Sequence, residues 1–255
     1  MTNNGSPDLS GKRAVVTGGT RGIGAAIVRQ LLESGAKVVG SARTPVNDFA
    51  KDATFVQGDV GTLAGARELA ARATEILGGV DILVNNAGAA RAWPKGTLTI
   101  EDDEWVDALN ANYLSAVRLS AALLPGMIAR KSGVIVNIST GAALIPVPSL
   151  AHYGAAKAAL NAYSKSLSVE VAPHGVRVNV VVPGNVTSPG ADKIRVDLAT
   201  AFGVEASALT ANVPLGRIGA PTDIAAMVGF LVSDRAAWIT GASFVVDGGE
   251  TPFVR

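Results

Sequence analysis

Cysteine is absent from this sequence of 255 residues, and histidine occurs only twice, as His152 and His174. Without thiols the chain forms no disulfide and carries out no cysteine chemistry, which suits a reducing cytoplasm. Two isolated histidines are too few for a metal centre, so we expect no bound metal.

Long apolar runs and an excess of one charge are also missing. No stretch of eighteen apolar residues occurs, although 48% of the residues are hydrophobic, so we expect no membrane span. The 22 basic and 21 acidic residues leave a net charge of +1. That balance gives no reason to expect nucleic acid or an anionic membrane as a partner.

Residues 1–10 are polar and contain Asn, Gly, Ser and Pro, without the apolar stretch of a signal peptide. We expect this N-terminus to be loose. Residues 11–255 are expected to form one domain, because this length suits a single core and no internal segment has the composition of a linker.

Short β-branched runs alternate with longer helical patterns along the rest of the chain. Strands are expected at 13–17, 37–41, 54–57, 81–84, 133–138, 177–182 and 243–246, and helices near 22–34, 62–77, 102–130, 152–172 and 221–233. Continuous apolar strands separated by helices predict a parallel sheet covered on both faces. The expected fold is a doubly wound α/β Rossmann fold with seven strands.

A glycine-rich segment follows the first expected strand: Thr17-Gly18-Gly19-Thr20-Arg21-Gly22-Ile23-Gly24. Glycines at 18, 22 and 24 let the backbone turn tightly and approach a pyrophosphate, whose charge the amides at the next helix start would meet. The spacing differs from Gly-x-Gly-x-x-Gly, so the glycines alone are a weak signal. The strand before and the helix after supply the context that a nucleotide site requires.

Tyr153 and Lys157 are four residues apart, one turn of an expected helix. The ammonium of Lys157 is expected on the same face as the phenol, where it would favour the ionised form and lower the pKa of Tyr153 from about 10. Such a pair also occurs by chance on helix surfaces. Together with the glycine-rich turn, however, it indicates acid–base catalysis.

In combination these motifs resemble those of the short-chain dehydrogenase/reductase family over nearly the whole chain. Thr17-Gly18-x-x-x-Gly22-x-Gly24 is similar to the family's cofactor motif, Asn85-Asn86-Ala87-Gly88 to its motif after the fourth strand, and Tyr153-x-x-x-Lys157 to its catalytic motif. The resemblance implies hydride transfer between a nicotinamide cofactor and a carbonyl or secondary alcohol, with Tyr153 as the acid/base. It also implies that Lys157 binds the cofactor ribose and that Asn112 is catalytic and holds a proton-relay water.

The end of the second expected strand bears on the choice of cofactor. An NAD-type site places a carboxylate there, about twenty residues past the glycines, but this chain has Ala42 followed by Arg43. Arg21 lies at the adjacent strand end. A 2′-phosphate carries about −1.5 to −2 charges, so two arginines favour NADP(H); the alternative is that both are merely solvated.

The resemblance further implies that Asp59 contacts the adenine, that Asn86 and its neighbours line the cleft, and that residues after the sixth strand bracket the nicotinamide. The residues expected to bind the cofactor are Gly18, Thr20, Arg21, Gly22, Ile23, Gly24, Arg43, Asp59, Val60, Asn86, Ala87, Gly88, Tyr153, Lys157, Pro183, Gly184, Val186 and Thr187.

One position departs from the family pattern. Its catalytic hydroxyl usually lies thirteen residues before the tyrosine, as the second serine of Asn-Ile-Ser-Ser; here the segment is Asn137-Ile138-Ser139-Thr140. Thr140 keeps the donor and adds a methyl group that stiffens χ1. We expect Thr140 to be the catalytic hydroxyl, with Ser139 as the alternative if the loop is shifted by one residue.

Residues 188–212 correspond to the family's mobile substrate lid and place apolar residues at helical spacing. With residues 89–93 and 145–148, this lid would enclose a pocket with apolar walls. Such a pocket favours a cyclic or aliphatic ketone over a phosphorylated sugar, and a 3-oxoacyl thioester is the other substrate considered.

The resemblance also implies a homo-oligomer, commonly a tetramer built through the two long helices and the C-terminal segment. A non-catalytic NADP(H)-binding regulator on the same fold is an alternative function, because fold does not fix function. Such a regulator would have little need of Tyr153, Lys157 and Asn112 together.

Overall fold

The computed structural model describes residues 8–46 and 49–252. Within them, seven parallel strands form one sheet in the order β3-β2-β1-β4-β5-β6-β7. The strands are β1 Arg13–Thr17, β2 Lys37–Ala42, β3 Thr54–Gln57, β4 Ile82–Asn85, β5 Gly133–Ile138, β6 Val176–Pro183 and β7 Ser243–Val246. The predicted doubly wound sheet is confirmed; β2 differs from its expected bounds by one residue at one end, and β4 and β6 differ by one residue at both ends.

Seven α-helices are found in the same described residues: α1 Gly22–Glu33, α2 Leu63–Leu77, α3 Asp102–Leu109, α4 Ser115–Ala129, α5 Ala151–Val171, α6 Pro189–Phe202 and α7 Pro221–Val232. The single helix expected over 102–130 is therefore wrong. A π-helical turn, Asn110–Leu114, separates α3 from α4. Such a turn is a local widening of the helix that apolar periodicity does not predict.

The two faces of the sheet carry separate apolar cores. Helices α1 and α7 cover one face, and α2, α4 and α5 cover the other. Successive residues of one strand point to opposite faces. In β5, for example, Val136 and Ile138 pack toward α1 and α7, whereas Ile135 packs toward the other helices.

Residues 1–7 lie outside the described residues. Leu9, within the stretch expected to be loose, is only 1% exposed, and its N–H donates to the Ser34 carbonyl at 2.7 Å. The prediction of a loose segment is therefore wrong at Leu9, which belongs to the core under α1. A single apolar residue among polar ones has no periodicity from which its burial follows.

The strand order reverses direction between β1 and β4. From β1 the chain continues to β2 and β3 on one side, and then returns to β4 on the other side. In an open parallel sheet, ligands bind outside the carboxyl ends of the strands at such a reversal. Separately, no helix of the described residues is both long and apolar enough to span a membrane.

Candidate active site

A compact glycine turn joins β1 to α1 at the point of reversal. A Cβ on Gly24 would lie 2.0 Å from the Gly18 carbonyl oxygen, so a side chain does not fit there. Gly22, with φ 53°, begins α1, and no side chain caps the helix start. The first N–H groups of a helix have no partner within the helix, so they can receive an anion such as a phosphate.

A cleft of about 460 Å³ opens over this turn. Of the residues expected to bind the cofactor, its walls contain Gly18, Thr20, Arg21, Gly22, Ile23, Gly24, Arg43, Asp59, Val60, Asn86, Ala87 and Gly88. The walls also include Ala89, Ser188, Pro189 and Gly190 from the segments expected to enclose the substrate, and Ser41, Thr44, Val46, Gly58, Gly61 and Ala111, for which no role was expected. Five of these six lie within four residues of the end of β2 or β3, so their proximity to an expected strand was the signal available.

Two arginines stand at one end of the cleft. Arg21 and Arg43 are both exposed and both line it, and Ala42 occupies the place where an acid would bind a ribose hydroxyl. Within residues 8–46 and 49–252, neither guanidinium has a carboxylate at ion-pair distance. The Gln57 amide donates to the Arg43 carbonyl at 2.9 Å and holds that backbone in place. Two cations without acidic partners suit a phosphate-bearing ligand.

Thr17, the first residue of the glycine-rich motif but not among the residues expected to bind the cofactor, ties β1 to the segment after β4. Its hydroxyl accepts hydrogen bonds from the N–H groups of Asn86 at 3.0 Å and Ala87 at 2.9 Å. In return, the Asn86 amide donates to the Thr17 carbonyl at 2.9 Å. These bonds fix the middle of the cleft floor, so Thr17 positions residues that line the cleft.

Asn112 lies in the π-helical turn and is buried. Its Nδ2 donates to the carbonyls of Ala89 at 2.8 Å and Ala108 at 3.0 Å, and its Oδ1 accepts from the Ala89 N–H at 3.0 Å. A Cβ on Gly88 would lie 2.7 Å from Asn112 Oδ1 and 3.5 Å from Lys157 Nζ. Asn112 and Lys157 therefore both lie close to Gly88, which lines the cleft.

Lys157 of α5 is buried, and its Nζ donates to the Ile138 carbonyl at 2.7 Å. Burial lowers the pKa of Lys157 to about 8. Burial also raises the pKa of Tyr153, while a hydrogen bond with Thr140 acts in the opposite direction. The expected net lowering of the Tyr153 pKa is therefore wrong, because desolvation, which disfavours the charged form, is the largest effect on the phenol.

Thr140 and Ser139 occupy different environments at the end of β5. The Thr140 hydroxyl accepts from the Ala142 N–H at 3.3 Å and lies close enough to the Tyr153 phenol to act against the rise in its pKa. The Ser139 hydroxyl is buried and has no hydrogen-bond partner in the described part of the chain. Contact with the phenol favours Thr140 over Ser139 as the hydroxyl that acts with Tyr153.

The remaining residues expected at the nicotinamide follow β6 and lie outside the walls of the cleft cavity. The Gly184 N–H donates to the Val246 carbonyl at 3.1 Å, and the Thr187 N–H donates to the Gly219 carbonyl at 2.9 Å. Pro183 ends β6, and Val186 pairs with Gly219. Ser188 follows them and caps α6 by accepting from the Ala191 N–H at 3.2 Å. The segment expected to be a lid therefore starts in the cleft wall, and it contains α6.

Two loops near Tyr153 are fastened to each other. The Trp93 N–H donates to the Ser149 carbonyl at 2.9 Å, and the Thr97 hydroxyl donates to the Pro148 carbonyl at 3.2 Å. Ile145 and Val147 of the second loop are exposed apolar residues. Exposed apolar side chains on a loop that shortly precedes α5, the helix of Tyr153, suit contact with an apolar substrate.

Comparison with known proteins adds independent information. The profile of a family described as enoyl-(acyl carrier protein) reductase matches residues 18–251. The 3-oxoacyl-[acyl-carrier-protein] reductase FabG of Vibrio cholerae is 39% identical over 251 residues, which cover 95% of this chain and 98% of that protein. FabG of Escherichia coli is 37% identical, with 95% and 98% covered. The 3beta-hydroxysteroid dehydrogenase 1 of Eggerthella lenta is 36% identical, with 96% and 95% covered.

Proposed function

The chain belongs to the short-chain dehydrogenase/reductase family and is an oxidoreductase, and from this premise we propose that it is an NADP(H)-dependent reductase of 3-oxoacyl thioesters. The observation that carries the proposed chemistry is the convergence of Tyr153, Thr140, Lys157 and Asn112 beside the glycine-rich cleft. Each of these side chains has a role in reducing a carbonyl group.

The cleft fits a dinucleotide with a 2′-phosphate. Glycine at position 24 lets the turn close tightly on itself, since a Cβ there would collide with the Gly18 carbonyl, and a pyrophosphate would lie at the uncapped start of α1. Arg21 and Arg43 would hold the additional phosphate. NADP(H), when bound, supplies the hydride that the reaction requires.

Thr140 and Tyr153 act on the substrate carbonyl oxygen. Both hydroxyls donate hydrogen bonds to it, which stabilises the negative charge that develops as hydride reaches the carbon. Tyr153 then transfers its proton to that oxygen, so the carbonyl becomes a secondary alcohol and the phenol becomes a phenolate.

Lys157 and Asn112 restore the phenol. Because the pKa of Lys157 is about 8, its side chain is mostly protonated at neutral pH. The resulting ammonium stabilises the phenolate as it forms. Asn112, whose Oδ1 lies near Gly88 and Lys157 Nζ, would hold the water through which a proton returns. Lys157 is also proposed to bind the cofactor ribose.

The raised pKa of Tyr153 favours reduction over oxidation. A phenol with a pKa above 10 is protonated at neutral pH and is therefore ready to donate. Oxidation of an alcohol would require the phenolate as the base, which burial disfavours. We therefore expect reduction to be the faster direction near pH 7, and oxidation to accelerate as the pH rises.

The names of the relatives support the substrate class. Two of them are reductases of 3-oxoacyl groups on a carrier protein and are matched over nearly their whole length. The apolar side chains of Ile145 and Val147 suit an acyl chain. The steroid dehydrogenase at 36% identity supports a second candidate, a 3-hydroxysteroid or 3-oxosteroid, which would use the same apolar walls.

The test is NADPH oxidation measured with acetoacetyl-coenzyme A, a 3-oxosteroid and a short aliphatic ketone as separate substrates. Saturable turnover that is highest with the thioester is the expected result. A preference for the steroid would assign the second candidate. Tight NADPH binding without turnover of any carbonyl would favour the alternative function, a regulator.

Assembly and location remain predictions. Ala155 and Ala158 are exposed on α5, as is Val169, and this face of small and apolar residues suits packing against another copy of the chain. A homotetramer in the cytoplasm is the form that we propose. Light scattering of the purified protein measures the number of subunits in the assembly.

A further inference from the structure

Beneath the candidate active site, four buried polar side chains form a continuous hydrogen-bonded network. Asn137 Oδ1 accepts from Asn85 Nδ2 at 2.8 Å, and Asn137 Nδ2 donates to Ser164 Oγ at 2.7 Å. Asn85 Nδ2 also donates to Ser120 Oγ at 3.3 Å. The Ser164 hydroxyl in turn donates to the Leu160 carbonyl at 2.6 Å. We call these four side chains the Asn137 network.

The Asn137 network lies in the core. Asn137 and Ser120 are 0% exposed, and Ser164 is 2% exposed. Burying amide and hydroxyl groups costs free energy that their hydrogen bonds only offset, and apolar residues of similar size would fill such a space at no such cost. Buried polar groups of this kind can instead fix one register between packed elements, because a shifted arrangement leaves them unpaired.

The network joins the elements that carry the candidate site. Asn85 ends β4 and directly precedes Asn86, and Asn137 directly precedes Ile138, whose carbonyl accepts from Lys157 Nζ. Ser164 lies seven residues beyond Lys157, which is about two turns along the same face of α5. In the described residues, the Asn137–Ser164 bond is therefore a second side-chain hydrogen bond between α5 and β5, beside the Lys157–Ile138 bond.

Building on the function proposed above, we propose that Asn137 and Ser164 are positioning residues for the reaction: their hydrogen bond holds α5 in register with β5. The two bonds fix the position of α5 along β5 at two points, in addition to the apolar packing of Leu167 and Val171. Without the Asn137–Ser164 bond, we expect that packing to let α5 shift slightly against β5, so that the Tyr153 phenol, one turn from Lys157, moves relative to Thr140. A displacement of about 1 Å in a catalytic group can reduce a rate by about a hundredfold.

Ser164→Ala tests this proposal because it removes one hydroxyl and little volume. Ser168→Ala is a matched control on the same helix. Ser168 is also 2% exposed, and its hydroxyl donates to a backbone carbonyl of its own helix, that of Lys165, at 2.7 Å. It has no bond to β5 in the described residues. A loss of stability from removing a buried serine hydroxyl on α5 affects both variants. A loss of register between α5 and β5 affects only Ser164→Ala.

Two readouts are compared in the two variants and the wild type. The first is kcat with NADPH and acetoacetyl-coenzyme A at saturation, together with the melting temperature. The second is the ionisation of Tyr153, followed by tyrosinate absorbance as a function of pH and isolated by subtracting the titration of Tyr153→Phe. The second readout requires no turnover. It therefore tests positioning even if the wild type reduces no thioester, an outcome that would remove the proposed function alone.

We expect Ser164→Ala to lower kcat by about tenfold to a hundredfold and to change the Tyr153 titration midpoint by at least about half a pH unit, since the surroundings of the phenol change. Ser168→Ala should leave both readouts within about twofold and about 0.2 pH units of the wild type. Equal titration midpoints in the two variants would overturn the proposal. So would a loss of kcat in Ser164→Ala that Ser168→Ala shares to the same extent.

Discussion

The two faces of the sheet differ in the polarity of the residues that the same strands present to them. Near the carboxyl ends of β4 and β5, the residues that face α1 and α7 are Val84 and Ile138. The residues that face α4 and α5 are Asn85 and Asn137, which bond to serines on those helices. Alternation along a strand thus gives one apolar face and one face with polar groups in its core.

The face toward α1 and α7, called the apolar face, stabilises the fold. The face toward α4 and α5, called the polar face, also has an apolar core but carries the groups proposed for catalysis. Leu31 of α1 is wholly buried among apolar neighbours. On the other face, Asn112, Tyr153 and Lys157 all lie on the π-helical turn or on α5. Burial on that face lowers the pKa of Lys157 and raises that of Tyr153, and such shifts are typical of functional sites.

Tyr153→Phe tests the polar face most directly. The ring and its packing remain and only the transferable proton is lost, so kcat should fall by about 10²–10⁴-fold. NADPH affinity and melting temperature should change little. Steady-state kinetics and cofactor titration measure these quantities, and retention of more than about a tenth of the rate would exclude general acid catalysis by Tyr153.

Thr140→Val removes the hydroxyl that contacts the phenol while keeping the shape of the side chain. We expect kcat to fall by about 10²–10³-fold, the usual loss when one oxyanion donor is removed. Ser139→Ala is the matched control, because its hydroxyl is buried without a partner in the described residues. If Ser139→Ala were nearly inactive and Thr140→Val nearly normal, the substrate oxygen would have to be assigned to Ser139.

The sequence predicted the polar face less completely than it predicted the fold. The strands and the glycine turn follow from local patterns, and the resemblance supplied Tyr153, Lys157 and Asn112 without their surroundings. The π-helical turn at Asn110–Leu114 and the direction of the Tyr153 pKa depend on what packs around them. Thr17 begins the cofactor motif, but the motif does not show what its side chain contacts, so its bonds to Asn86 and Ala87 become evident only once β1 and β4 are adjacent.

Arg43→Ala tests the cleft at the strand ends, where recognition of the 2′-phosphate would depend on charge rather than on packing. One hydrogen bond to a charged group contributes about 1.5–3 kcal/mol, so the preference for NADPH over NADH should fall by about tenfold to a hundredfold. The ratio of kcat/KM with NADPH to kcat/KM with NADH measures this preference. Lys37→Ala is a control, because that exposed cation at the amino end of β2 lies outside the cleft walls. A wild type that used both cofactors equally well would refute the NADP(H) assignment.

Leu31→Ala should have the smallest effect on turnover and yet a large effect on stability. Leu31 is 0% exposed in the apolar core under α1, and truncation of such a residue costs about 2–5 kcal/mol of unfolding free energy because a cavity remains. Denaturant unfolding measures that loss, and kcat measured well below the melting temperature should stay within about twofold of the wild type, since distant sites act independently. A fall in kcat as large as that of Thr140→Val would mean that the apolar face also sets the geometry of the reaction, and the division of labour between the two faces would then be wrong.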